Sequence, residues 1–310
     1  MEGMLAIVCP GQGSQTPGFL APWLEMDGVA DLVARLSEAS GTDLALHGST
    51  SDEETIKDTA VAQPLIVAAG LVAGAALHVP SVPAASAVLA GHSVGEITAA
   101  ALAGVLSPEE ALTLVHVRAD GMARAAAETP TGMAAVVGGV AEEVTAAIES
   151  AGLTPANING AGQVVAAGSL EALARLGEDA PARARVIPLK VAGAFHTEYM
   201  RPAVAGLAAY VDGLAPAAPR IPLLSNRDGE AVEDGADVLA RIVDQVTRPV
   251  RWDLCMASLA ERGVTGVLEL LPGGTLTGLA KRGLKGTATL AVADPEDLDA
   301  ARQFMAEHAA

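Results

Sequence analysis

Residues 87–100 constrain the fold of this chain more than any other stretch. A short apolar run leads into Gly91-x-Ser93-x-Gly95, and an alanine-rich helical pattern follows. Strand, turn and helix in this order are typical of a nucleophile elbow, whose sharp turn needs glycine on both sides. The serine would then stand at the N-terminus of the helix, where developing negative charge is stabilised. The alternative is a glycine-rich turn without chemistry.

The start of the chain carries a second buried strand with a glycine-rich loop. Leu5–Cys9 is a continuous apolar run, typical of a central parallel strand, and it ends in a loop over residues 10–15. Loops at the carboxyl ends of parallel strands commonly hold ligands. This loop lacks the third glycine and the acidic partner of a dinucleotide site. Gln12 either stabilises an oxyanion through its amide or is an ordinary polar turn residue.

A helix is predicted to begin at Ser107, because Ser107, Pro108 and Glu110 match a capping box with proline at the first position. It should run to about residue 127. The elbow helix leaves Ser93 and covers about twelve residues, roughly 18 Å. If the next helix returns antiparallel, Arg118 comes back to the height of Ser93. Apolar neighbours favour a partly buried Arg118, and an exposed arginine is the alternative.

Residues 128–193 have a pattern of their own, β-α-β-β-α-β, which is the ferredoxin-like order. The chain of 310 residues has room for a large core and such an insert. We therefore predict an α/β protein with a central, mainly parallel sheet in a large domain of residues 1–127 and 194–310. The ferredoxin-like small subdomain of residues 128–193 is inserted into it.

The serine needs a base, and His196 is the best candidate because it lies where the chain re-enters the large domain. His92 is a rival, but neighbouring elbow residues point in different directions, so it cannot easily reach Ser93. An α/β-hydrolase would show a serine, then an acid, then a histidine. No acid fits that order, so we expect a group other than a carboxylate to orient the base.

Charge and composition exclude several classes of function. The net charge of −18 argues against a nucleic-acid partner. Cys9 and Cys255 lack the spacing of a metal site or a disulfide framework, and the start lacks a basic signal-peptide region. The longest apolar stretch, residues 65–79, is better explained by a buried helix than by a membrane span. We expect a cytoplasmic monomer without metal, cofactor or membrane contact.

Several motifs occur together in the order found in a known family. They are Pro10-Gly11-Gln12-Gly13-Ser14-Gln15, Gly91-His92-Ser93-Val94-Gly95-Glu96, Arg118 with Met122, Asn157-Ile158-Asn159 with Gly162-Gln163-Val164, Ala194-Phe195-His196, Pro249-Val250-Arg251-Trp252 and Pro272-Gly273. With this set the chain resembles malonyl-CoA:acyl carrier protein transacylases, over residues 5–308. The resemblance implies an α/β-hydrolase-like large domain with a ferredoxin-like insert.

The resemblance also implies roles for individual residues. Ser93 would be the nucleophile and His196 the base and then the acid, with the oxyanion held by the backbone N–H groups of Gln12 and Val94. Arg118 would bind the malonyl carboxylate. A main-chain carbonyl near Arg251 would orient the histidine, although many relatives carry glutamine there. The remaining substrate-binding residues would be Phe195, His92, Met122 and Asn159.

The expected reaction moves malonyl from coenzyme A to the phosphopantetheine thiol of an acyl carrier protein, by a ping-pong route through malonyl-Ser93. It would supply extender units for fatty-acid or polyketide synthesis. One alternative is a serine hydrolase or a transferase for another acyl group. Another is a non-catalytic module that binds acyl carrier proteins, against which Ser93 and His196 both speak. Of the 19 basic residues, 14 lie at or beyond Arg183, so a locally positive face could bind an acidic carrier.

Overall fold

Two β-sheets organise residues 3–309, the part of the chain that the computed structural model describes. The strands of the larger sheet are β1 (Leu5–Cys9), β2 (Ala87–Gly91), β7 (Leu223–Leu224), β8 (Ala231–Val232), β9 (Gly266–Glu269) and β10 (Ala288–Ala291). Their order across the sheet is β10-β9-β1-β2-β7-β8. All neighbouring pairs are parallel except β7 and β8, which are antiparallel. This confirms the predicted central, mainly parallel sheet.

The two strands predicted from apolar runs lie side by side at the centre of this sheet. Every residue of β1 and β2 is buried, as expected for parallel strands covered by helices on both faces. Their register pairs Cys9 with Gly91, so both strands end at the same level. The loops that follow, which carry Gln12 and Ser93, therefore start next to each other at one edge of the sheet.

Helices cover both faces of the large sheet and one face of the small sheet. They are α1 (Ala21–Leu24), α2 (Val29–Ser40), α3 (Leu44–Ser49), α4 (Glu53–Lys57), α5 (Thr59–Ala76), α6 (Gly95–Leu102), α7 (Pro108–Glu128), α8 (Ala141–Ser150), α9 (Leu170–Glu178), α10 (Val204–Val211), α11 (Gly235–Gln245), α12 (Trp252–Glu261), α13 (Thr275–Gly283) and α14 (Leu298–His308). Short 3₁₀ segments cover Val79–Ser81, Glu198–Ala203 and Pro295–Asp297.

Helix α5 is apolar on all sides, which is typical of a helix surrounded by protein. By length and composition alone it would suffice to cross a membrane, but 78% of its residues are buried inside the molecule. It packs against α6 and α7, and those contacts account for its composition. The prediction of a buried core helix in this stretch is confirmed.

Helices α6 and α7 form the predicted antiparallel pair next to the elbow. The capping box at Ser107 is present in full, with Glu110 Oε2 accepting from the Ser107 N–H and Ser107 Oγ accepting from the Glu110 N–H. Helix α6 has only eight residues instead of about twelve. It ends early because the chain turns at Gly104, whose φ of +83° favours glycine.

The small sheet is antiparallel and has the predicted ferredoxin-like arrangement. Its strands are β3 (Thr131–Gly138), β4 (Thr154–Gly160), β5 (Gln163–Ser169) and β6 (Ala184–Pro188), in the order β4-β5-β3-β6. Helices α8 and α9 connect them and pack on one face, around a small core that includes Val136, Ile148 and Leu176. The two-part α/β fold is thus confirmed, while the boundaries at residues 128 and 193 stay a prediction.

Main-chain hydrogen bonds join the small sheet to the large domain. The Ile158 N–H donates to the Val250 carbonyl, and the Val250 N–H donates to the Ala156 carbonyl, both at 2.9 Å. Strand β4 thereby gains a short parallel partner just before α12. These bonds fix the edge of the small sheet above the carboxyl ends of β1 and β2.

Candidate active site

Ser93 lies in a strained turn between β2 and α6. Its φ is +55°, a conformation that costs a non-glycine residue about 1–3 kcal/mol and is common at functional sites. The flanking glycines are required by contact: a Cβ on Gly91 would lie 2.0 Å from the carbonyl carbon of Gly95, and one on Gly95 would lie 2.2 Å from the Cys9 carbonyl oxygen. The sequence pattern therefore reflects close main-chain packing, and the turn has the form of a nucleophile elbow.

His196 faces the serine from the loop that follows the small subdomain. Its Nε2 lies 2.8 Å from Ser93 Oγ, and its Nδ1 lies 2.8 Å from the main-chain carbonyl oxygen of Gln245. Because Nδ1 donates to that carbonyl, Nε2 is left to accept the serine proton. Burial, together with the charge of Arg118, lowers the pKa of His196 to about 3, so the imidazole is neutral near pH 7.

The predicted role of the Arg251 backbone is wrong, since the carbonyl that orients His196 belongs to Gln245, six residues earlier. Arg251 lies at the start of α12, where its N–H donates to the Asn226 carbonyl at 2.8 Å. Its guanidinium pairs with Asp253 at the protein surface. Gln245 instead ends α11, and its carbonyl is directed at the histidine.

Arg118 returns on α7 to the level of Ser93, as predicted, although α6 is shorter than the prediction assumed. Its side chain is fully buried, and Nη2 lies 3.5 Å from Ser93 Oγ. Nη1 donates to Gln63 Oε1 at 2.6 Å and Nη2 to Gln245 Oε1 at 3.0 Å. Burial lowers the pKa of Arg118 to about 10, so the group stays charged near pH 7. Within residues 3–309 no carboxylate forms a salt bridge with it.

A buried polar network lies under the elbow and was not predicted from the sequence. Glu96 accepts from the Asn226 N–H at 2.6 Å and from the Gln245 side-chain amide. Asn226 in turn holds the main chain of the elbow, accepting from the Ser93 N–H at 2.8 Å. Burial raises the pKa of Glu96 to about 8, against the opposing effects of the Asn226 N–H and the Arg118 charge.

The two backbone N–H groups predicted to hold an oxyanion are those of Gln12 and Val94. In the described part of the chain, neither the N–H of Gln12 nor that of Val94 donates to a protein acceptor. Both residues line the cleft beside Ser93. The Gln12 side-chain amide is directed away from the serine, donating to the Lys57 carbonyl at 3.4 Å. Any contribution of Gln12 to an oxyanion must therefore come from its backbone.

The four other predicted substrate residues are close to the same cleft. His92 does not reach the serine as a base, because its Nε2 bonds Asn159 Oδ1 at 2.8 Å and its ring packs edge-on against Trp252. Phe195 and Met122 form part of the apolar wall. The cleft has a volume of about 210 Å³ and extends between the two sheets.

The residues that sequence reasoning missed are amides and one acid: Gln63, Gln245, Asn226 and Glu96. Glu96 had a signal, since it directly follows the elbow and an acid at that place on α6 faces the sheet. The three amides come from separate segments, and their residue types alone do not indicate that they belong to the site. Within residues 3–309 no group of three His, Cys, Asp or Glu side chains is arranged to hold a metal ion.

Comparison with known proteins decides the family. Residues 6–306 match the family model described as an acyl transferase domain. The malonyl CoA-acyl carrier protein transacylase of Mycobacterium tuberculosis H37Rv is 53% identical over 297 residues, which are 96% of this chain and 98% of that protein. The chain belongs to the malonyl CoA-acyl carrier protein transacylase family. It is thus an acyltransferase, as the motif set predicted.

Solved structures of this family share the fold described above. The crystal structure of MCAT from M. tuberculosis has a TM-score of 0.92 at 51% identity, covering 96% of this chain and 99% of that one. A malonyl-transacylase in complex with its type II PKS acyl-carrier protein has a TM-score of 0.90 at 32% identity, covering 97% and 99%. The α/β fold with its two sheets is therefore that of the transacylase family.

Proposed function

We propose that this chain transfers malonyl from malonyl-CoA to the phosphopantetheine thiol of an acyl carrier protein, through a malonyl-Ser93 intermediate. The observation that carries the proposal is the buried Arg118 cation, 3.5 Å from the Oγ of a serine that is paired with a histidine. A nucleophile beside a fixed positive charge suits an acyl group that ends in a carboxylate. The names of the relatives and the carrier complex of one of them support the same substrates.

The first half-reaction follows from the hydrogen bonds of Ser93 and His196. As Oγ attacks the thioester carbon, Nε2 of His196 takes the hydroxyl proton, and the Gln245 carbonyl stabilises the imidazolium through Nδ1. The N–H groups of Gln12 and Val94 hold the oxyanion. When the tetrahedral intermediate collapses, the C–S bond breaks and His196 returns the proton to the sulfur of coenzyme A.

The second half-reaction reverses these steps with a different thiol. His196 takes the proton of the phosphopantetheine thiol, and the sulfur attacks the malonyl-Ser93 ester. Collapse of the second intermediate breaks the C–O bond, and the proton returns to Ser93 Oγ. Arg118 holds the malonyl carboxylate throughout, so the acyl carbon stays next to the oxyanion donors. No group outside the two substrates is consumed.

Trapping of the intermediate tests this proposal. Incubation with malonyl-CoA, without carrier, should add one malonyl group to the intact mass, and Ser93→Ala should remove that adduct. Adding holo-carrier should discharge the adduct and malonylate the carrier. An adduct that persists in Ser93→Ala would refute the assignment of the nucleophile. Fast loss of the adduct to water, without transfer to the carrier, would instead indicate a hydrolase.

A further inference from the structure

The elbow must hold Ser93 in a backbone conformation that the residue does not favour by itself, with a φ of +55°. The flanking glycines make the turn sterically feasible, but they do not fix it. Strained residues of this kind persist only where the surroundings determine their conformation. The question is therefore which group supplies that constraint at Ser93.

Asn226 makes the contacts that brace the turn. Its side-chain Oδ1 accepts from the Ser93 N–H at 2.8 Å, and its Nδ2 donates to the Gly91 carbonyl at 2.7 Å. Its own N–H donates to Glu96 at 2.6 Å. Asn226 follows β7, the neighbour of β2, and has no exposed surface. One carboxamide thus spans the turn on both sides of the nucleophile.

We infer that Asn226 is a positioning residue for acyl transfer, which ties the main chain of Ser93 to the adjacent strand. The inference rests on the proposed function, in which Ser93 is the acylated residue. By accepting the Ser93 N–H on the buried side of the turn, Asn226 leaves the following N–H, that of Val94, for the oxyanion. Asn226 does not line the cleft, and it bonds the main chain of Ser93 instead of its Oγ, so it acts through Ser93.

Only an amide of this length supplies both bonds. Oδ1 must accept from the Ser93 N–H while Nδ2 donates to the Gly91 carbonyl, and an aspartate would face that carbonyl with a second oxygen. The negative charge would also lie beside Glu96. Oδ1 further accepts from the Gln245 side chain at 3.2 Å. The Gln245 carbonyl orients His196. Asn226 is therefore linked to both Ser93 and the residue that orients His196.

The experiment compares Asn226→Asp, which is isosteric, with Asn226→Ser, which is smaller and neutral. The rate of malonyl-Ser93 formation is measured in single-turnover reactions by intact mass. The rate of Ser93 sulfonylation by phenylmethylsulfonyl fluoride is measured as well, because that reagent has no carboxylate for Arg118 to bind. We expect both rates to fall about 100-fold, with the KM for malonyl-CoA changed less than about threefold, since small misplacements of reacting groups reduce rates by that order.

Leu36→Ala provides the matched control. Leu36 is fully buried in α2 and lies outside the lining of the cleft, so its truncation lowers the melting temperature without touching the elbow. At a temperature where all variants are folded by circular dichroism, we expect the control to keep both rates within about threefold of the wild type. A purely structural role for Asn226 would give the same result in the Asn226 variants.

The outcomes separate this inference from the proposed function. If the wild type forms no malonyl-Ser93, the proposed function fails, and sulfonylation alone still tests Asn226. If the wild type is acylated and either folded Asn226 variant matches its rates, the inference is overturned. A loss of malonylation with normal sulfonylation would also overturn it, because the residue would then act on carboxylate binding through Gln245.

Discussion

At the scale of single residues, Arg118 places a buried positive charge next to Ser93. Its guanidinium is fully buried and contacts the amide oxygens of Gln63 and Gln245. Amide oxygens satisfy part of its donor capacity without neutralising it, and Nε has no hydrogen-bond partner among the described residues. A planar, charged fork of this kind matches a carboxylate better than any neutral group does.

We therefore expect Arg118→Ala to lose malonyl transfer, whereas acetyl transfer stays the same or rises. With acetyl bound to the wild type, the buried cation lacks its partner, at a cost on the order of 3 kcal/mol. This corresponds to a preference for malonyl of roughly a hundredfold. The measurement is kcat/KM for malonyl-CoA and acetyl-CoA with the same carrier.

Arg118→Lys serves as the comparison variant, and it should recover little activity because an ammonium group offers a point charge instead of a fork. An equal fall for both acyl groups in Arg118→Ala would contradict the specificity argument. Arg118 would then support the catalytic geometry or the fold.

The sequence allows some of the site residues to be predicted and not others. Ser93, His196 and Arg118 were predictable because each has a distinctive chemistry in a distinctive local pattern. The acceptor for His196 was not, since a main-chain carbonyl carries no residue type, and the acceptor is the carbonyl of Gln245 instead of one near Arg251. Asn226 was missed because its role depends on β7 lying beside β2, a neighbour relation that the sequence does not state.

At the scale of elements, the unit that matters is the turn between β2 and α6. Its three positions depend on main-chain contacts, since Gly91 and Gly95 approach other backbone atoms too closely for any Cβ. The turn also places the N-terminus of α6 beneath the nucleophile, where its dipole favours an anion. Strand, turn and helix therefore act as one unit that positions Ser93.

Replacing Gly91 by alanine should abolish acylation of Ser93. The new Cβ would lie 2.0 Å from the Gly95 carbonyl carbon, so the turn must open, and opening it moves Ser93 away from His196. The measurement is the rate of malonyl-Ser93 formation at a temperature where the protein is folded. Acylation of folded Gly91→Ala at the wild-type rate would show that the turn tolerates a different geometry.

Gly206→Ala is the matched control for this prediction. Gly206 lies inside α10, and a Cβ there would meet no atom of the described residues within 4 Å. Alanine is a better helix former than glycine by about 1 kcal/mol, so this variant should be slightly more stable and fully active. Comparing Gly91→Ala with Gly206→Ala shows whether a loss of activity comes from the position of Gly91 or from any glycine-to-alanine change.

Element boundaries were predictable where a local signal exists. The start of α7 followed from its capping box, and the strands of the small sheet followed from the β-α-β-β-α-β order of residues 128–193. The early end of α6 did not, because a glycine with a positive φ terminates it within an otherwise helical sequence. Strand β7 is only two residues long, too short for a periodic pattern to define its ends.

At the scale of the whole molecule, an acidic enzyme must meet an acyl carrier, which we expect to be acidic too. The net charge of the chain is −18, so the overall field would slow the encounter. Helix α13 differs from this overall charge, because it carries positive charge near the cleft. Its first turns contribute Thr275, Leu276 and Leu279 to the cleft, and its last turn carries the exposed Lys281 and Arg282.

We expect reversal of both charges, as Lys281→Glu with Arg282→Glu, to raise the KM for the carrier about tenfold at low salt, because charges at the rim of an interface steer association. Hydrolysis of malonyl-CoA without carrier should change little. Arg35→Glu with Arg302→Glu, on α2 and α14, is the control for net charge, since it reverses two charges outside the cleft lining. An unchanged carrier KM in the double variant would exclude these two residues as the docking site.

The surroundings of Arg118 also bear on how the stability of the protein changes when malonyl binds. Before substrate arrives, the hydrogen-bond partners of the buried cation among residues 3–309 are all neutral, and Gln245 links it to the acid Glu96. On the proposed route, each malonyl group brings a carboxylate into the interior and takes it away when it leaves for the carrier. On that route we expect the malonylated protein to be more stable than the resting protein, because the malonyl carboxylate pairs with the buried cation while it is bound.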